Sequence, residues 1–111
     1  MPLPEVPGLL PVEDLRRTAD SIAEVQLPDG MIPWFPGGHA DPWNHVEAAM
    51  ALAVTGHLDE AEAAYWWLAD HQQDSGAWYA YYVDGGVEDP KFDANVIAYV
   101  ATGAWHHWLL T

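Results

Sequence analysis

The sequence predicts an all-α chain built from two helix–loop–helix repeats. Three observations predict it. Apolar residues recur at helical spacing in four stretches, Asp-Pro pairs stand where two of those stretches would begin, and the second half repeats the first at an offset of 46 to 48 residues. The first eleven residues lie outside this pattern. Pro2, Pro4, Pro7 and Pro11 remove backbone donors and fix φ, so an extended arm is expected over 1–11. Residues 12–111 form one domain of two tandem repeats, about 12–56 and 58–110.

Leu15, Ala19, Ile22 and Gln26 fall at i, i+4, i+7 and i+11, which places the first helix at about 12–26. A loop rich in proline and glycine follows, from Leu27 to Ala40. Asp41-Pro42 restarts the helix, because Asp caps and proline fits the first helical position, where its missing N–H would go unpaired anyway. That second helix runs to about 55 and stops at Gly56. Leu58, Asp59 and Glu62 then read as an apolar staple, a cap and an acid three residues on. The third helix ends near Gln73, before Asp74-Ser75-Gly76. A second loop reaches Glu88, and Asp89-Pro90 repeats the cap-plus-proline start. The fourth helix is carried through Gly103 to Leu110, since Ala101, Trp105 and Trp108 keep helical spacing.

Composition narrows the function. The net charge of −14 opposes binding to a phosphate backbone or an anionic membrane surface. No apolar run approaches the roughly 18 residues a membrane span requires. No apolar stretch follows a basic start, so no signal peptide is expected and the default location is the cytoplasm. The absence of cysteine removes thiolate nucleophiles and Cys-containing zinc sites.

Gln72-Gln73-Asp74-Ser75-Gly76-Ala77-Trp78 fits Q-x-x-x-G-x-W, and Gln26-Leu27-Pro28-Asp29-Gly30 with Trp34 is a stretched form of it. This pattern resembles the QW motif of the terpenoid cyclases. The segment Ile32 to His39, followed by Asp41-Pro42-Trp43, is also similar to uncharacterised prenyltransferase-like proteins. The resemblance implies part of an α/α toroid, whose inner helices line a central cavity. It implies no residue roles here: the acid run of the class II cyclases and the zinc ligands of the prenyltransferases have no counterparts in this chain.

The candidate residues are read from the chain itself. Asp41 and Asp89 begin the two expected inner helices, as caps or as carboxylates at a cavity mouth, where the helix dipole suits a base. Glu47 and Asp93 lie in the first turns, either as ordinary acidic bias or as an acid/base pair acting on a sugar or polyol. Asn95, Tyr99, Thr102 and His106 form one polar stripe along an apolar helix, facing either a ligand or a neighbouring helix. Trp34 is an aromatic suited to stacking on a polyene or a sugar ring. His45 belongs to a cluster with His39, Asp41 and Glu47 whose spacing matches no metal signature, so neither metal nor cofactor is expected. Three functions stay open: an isoprenoid-binding or isoprenoid-converting toroid module, a carbohydrate-active α/α-barrel enzyme using paired carboxylates, and a non-catalytic oligomerising module. A homo-oligomer is expected, because Trp105, Trp108, Leu109 and Leu110 would otherwise be exposed together. The expected ligand is a hydrophobic or sugar-like small molecule.

Overall fold

A computed structural model of the chain describes residues 2–111. Four helices are present: α1 (Val12–Val25), α2 (Pro42–Val54), α3 (Leu58–His71) and α4 (Ala94–Leu110). Between α3 and α4 lies an antiparallel hairpin, β1 (Tyr81–Val83) and β2 (Gly86–Asp89). The chain is therefore not purely α-helical, and the all-α expectation is corrected. The hairpin has a physical cause. Tyr81-Tyr82-Val83 favours extended backbone, and Gly85 takes the left-handed conformation (φ +74°) that a tight turn needs.

The hairpin also displaces the start of α4. Asp89 does not begin a helix: it ends β2, accepts from the Lys91 amide and pairs with the Lys91 ammonium. Asp93 is the cap instead, accepting from the amides of Asn95 and Val96. In the first repeat the Asp-Pro reading holds, since Asp41 caps α2 with Pro42 in its first turn. The proline-rich arm is not simply extended either. Val6 and Leu10 pair across a turn that includes Gly8.

The helices pack around α2 as a hub, with α1, α3 and α4 all against it, rather than as a ring. One core cluster gathers Met31, Ala40, Val46, Trp67, Leu68, Trp78, Tyr82 and Val100. A second joins Ile32 to alanines and Leu52 of α2 and α3. Gly103 allows α4 to approach α2 closely: a Cβ there would fall 2.2 Å from Val46 Cγ1. Tyr65 donates to the Gly103 carbonyl at 2.9 Å, and burial pushes its hydroxyl up to about 12. Trp105 and Trp108 stack on each other on an exposed face of α4. Among the described residues, no helix is long and apolar enough to cross a membrane.

Candidate functional site

Two loops meet to build the site. Ala40 in the first loop and Tyr82 in β1 exchange both backbone hydrogen bonds, each at 2.8 Å. This pairing sets Trp34 and Asp41 beside Tyr81. A third bond, from the Ala80 amide to the Lys91 carbonyl, closes the base of the hairpin and brings Lys91 and Asp93 to the same place. The result is a cleft of about 400 Å³ lined by Trp34, Asp41, Trp43, Asn44, Tyr81, Lys91 and Asp93. That volume lies within the range of small-ligand sites.

Each side chain is held for a reason. Trp34 is half-exposed, yet its ring is fixed by the bond its Nε1 donates to Asp41 Oδ2 at 2.7 Å. Asp41 also accepts from the Asn44 amide and from Asn44 Nδ2, so both of its oxygens are occupied. Asp93 differs. One oxygen caps α4, and the other has no partner among the described residues. The His39 ring packs edge-on against Trp34 and beside Tyr81, and its Nδ1 sits 2.8 Å from Glu88. Lys91 brings a positive charge to the cleft; Arg16 and Arg17 lie on α1.

Trp43 extends the site along α2 and α4. Its ring stacks on Tyr99 at 4.1 Å, almost parallel. Tyr99 donates to the Glu47 carboxylate, and this bond, with some help from burial, holds the tyrosine hydroxyl above its ordinary value. Glu47 is exposed and lies about 9 Å along α2 from Asp41. Trp43, which lines the cleft with Asp93, is thus linked through Tyr99 to Glu47.

Other expected site residues are elsewhere. His45 is fully buried: Nδ1 accepts from the Ile32 amide at 3.1 Å and Nε2 donates to the Ala64 carbonyl at 2.8 Å. Burial lowers its pKa to about 4, so a neutral core histidine replaces the ligand contact expected of it. Asn95 is exposed beside the cap of α4 and does not line the cleft. His106 is about 20 Å along α4 from Asp93, too far to share a ligand with it. Asp89 holds Lys91 rather than facing the cleft. Tyr81 was legible only as one of many aromatics suited to stacking on a ring, and Asn44 and Lys91 went unread in the sequence. Of these two, only Lys91 carried a signal, as a lone cation in an acidic half. Among the described residues, no group of three or more His, Asp or Glu could hold a metal ion.

No protein-family model matches the chain. It is 52% identical over 109 residues to the MMP endo-(1,4)-3-O-methyl-alpha-D-mannosidase of Mycolicibacterium hassiacum. The match covers 98% of this chain and 30% of that enzyme, so the chain spans about a third of its relative's length. That relative acts on carbohydrate. This overturns the resemblance to terpenoid cyclases and prenyltransferases. The residues that carried the resemblance have a local role. Gln72 is exposed and its Nε2 donates to the Gly76 carbonyl at 3.0 Å, while the Trp78 ring is buried and donates to the Leu68 carbonyl at 2.7 Å. A glutamine that closes a turn and a tryptophan that seals a core will recur in unrelated helical hairpins.

Proposed function

We propose that this chain forms part of the glycan-binding and cleaving cleft of an endo-acting α-mannosidase whose substrates are O-methylated, (1,4)-linked mannosides. The observation that carries the proposal is the juxtaposition of Asp93, with one free carboxylate oxygen, and the fixed aromatic walls of Trp34, Trp43 and Tyr81. The mannosidase relative supports it. Sugars present apolar C–H faces that stack on aromatic rings, and hydroxyls that pair with carboxylates and amides. This cleft offers both.

Glycoside hydrolysis needs one carboxyl group to protonate the leaving oxygen and a second to act as base or nucleophile. In this reading Asp93 is the base or nucleophile, aided by the positive end of α4. Glu47 is the second carboxylate, across the Trp43–Tyr99 stack. Asp41 is a positioning residue, because three hydrogen bonds tie its two oxygens to Trp34 and Asn44. The test is cleavage and binding of (1,4)-linked α-mannosides, with and without 3-O-methyl groups. Asp93→Asn should lose rate by about 100-fold or more while the chain stays folded. Trp34→Ala should weaken binding. Full rate in Asp93→Asn removes that residue, and no binding of any mannoside removes the reading.

A second reading, self-association, rests on the exposed Trp105–Trp108 pair. Light scattering at micromolar concentration decides it: Trp105→Glu with Trp108→Glu should convert an oligomer to a monomer, and a wild-type monomer ends this reading.

A further inference from the structure

Beyond Trp34 lies a second hollow, of about 570 Å³, between α1, α2 and the first loop. Its walls are Ile22, Val25, Ile32, Phe35 and Ala48, with prolines at the rim. Among the described residues, no charged side chain lines it. Ser21 reaches it, but the Ser21 hydroxyl is already donated to the Thr18 carbonyl. Two residues, Trp34 and Asn44, line both this hollow and the carboxylate cleft. The shared wall is rigid, because Asp41 holds both of them.

We infer that this hollow is a subsite for the methyl ether groups of an O-methylated sugar unit adjoining the one in the cleft. The inference rests on the glycan reading above and adds to it the residues that select methylated substrate. An oligosaccharide crossing Trp34 leaves a site with carboxylates, an ammonium and an amide, and enters one that is mostly apolar and has no charged side chain among its described lining residues. A free hydroxyl placed against Ile22, Phe35 and Ala48 loses water and gains no partner. A methyl ether at the same place has no O–H to satisfy and buries its methyl group. The hollow also gives a use to Phe35, which is 58% exposed and would otherwise be an aromatic ring left to solvent. Asn44 donates one amide hydrogen to Asp41, and its carbonyl oxygen has no partner among the described residues, so it can hold a ring hydroxyl at the boundary.

The experiment is a calorimetric or NMR titration of the chain with (1,4)-linked α-mannotetraose and with its 3-O-methylated counterpart. Wild type should prefer the methylated form by roughly fourfold for each methyl group buried. Phe35→Ala, which trims an exposed ring, and Ala48→Gln, which places an amide in the hollow on a good helix former, should each bring the ratio near one. Affinity for the unmethylated sugar should not change in either. A methyl preference that survives both variants overturns the inference. So does a wild-type ratio of one with unmethylated binding that still depends on Trp34, and in that case the glycan reading stands. Failure of both sugars to bind overturns the two together.

Discussion

Trp34 and Trp78 come from the same place in the two repeats and end in different environments. In the second loop, Trp78 follows Gly76 by two residues, is buried and bonds to α3. In the first loop the tryptophan comes four residues after Gly30. Ile32 takes the core place that Trp78 takes in the second, and its amide bonds to His45. Trp34 is pushed outward, half-exposed, and pinned to Asp41 at the rim of the cleft. A two-residue difference in spacing turns a core tryptophan into a half-exposed one at the rim of the cleft. Where an internal repeat loses its regularity, the displaced residue is the one to examine for function.

The glycines ahead of these tryptophans give the sharpest way to break the comparison. Gly30 and Gly76 are both left-handed, at φ +100° and +90°. A Cβ on Gly30 would fall 2.2 Å from the Ala63 carbonyl oxygen, a backbone atom that cannot step aside, whereas a Cβ on Gly76 would meet nothing closer than Gln72 Nε2 at 4.0 Å. Gly76→Ala should therefore cost only the backbone strain, about 1 kcal/mol. Gly30→Ala adds a clash that pries the first loop off α3, and should cost about 4 kcal/mol in all. Urea denaturation measures both. Equal losses would mean that the first loop is free to move away from α3.

How legible this was in the sequence follows the same division. The spans of α1 and α2 and the Asp41 cap were readable, because periodicity and the Asp-Pro start are local signals acting on local structure, whereas Asp59 does not cap α3, which begins at Leu58 after His57. The hairpin was readable in principle: Tyr-Tyr-Val, Asp-Gly-Gly and Val-Glu are extended and turn chemistry. The repeat argument hid it, since the first loop has no strand at the matching place. Asp93 and Trp34 were legible as candidates, but their meeting depends on the Ala40–Tyr82 pairing between loops, which no spacing along the chain encodes. His45 misled because a histidine among acids looks the same whether it faces a ligand or the core. Only burial separates the two.

Counting from each cap, His45 of α2 matches Ile97 of α4, and this pair gives the second test. Ile97 carries no titratable group. His45 is fully buried and its pKa is lowered from 6.5 to about 4. The unfolded chain therefore binds a proton near pH 6.5 that the folded chain refuses until about pH 4. Stability is complete above pH 6.5 and falls as pH drops through that window, by about 3 kcal/mol at most. Thermal unfolding between pH 7 and pH 4.5 should show the slope, and His45→Gln should flatten it while lowering stability at pH 7. A wild-type slope that persists unchanged in the variant would assign the loss to carboxylates instead.

The smallest expected difference lies in the glutamines that precede the two glycines. Gln26 and Gln72 each donate Nε2–H to the glycine carbonyl four residues on, at 3.0 Å. Gln26 spends its second amide hydrogen on the Glu60 carbonyl in the first turn of α3, at 2.9 Å, tying one repeat to the next. Gln72 is exposed and makes only the local bond. Gln26→Ala should thus remove two partly buried bonds and cost about 1–2 kcal/mol, while Gln72→Ala gives water an easy replacement and should cost about 0.5 kcal/mol or less. The shift in the urea midpoint, at unchanged slope, measures each. If the two variants lose equally, closure of the turn is the whole contribution and the tie to α3 adds nothing. If Gln26→Ala also weakens sugar binding, the tie reaches further: it holds the loop that carries Trp34 to the face of the cleft.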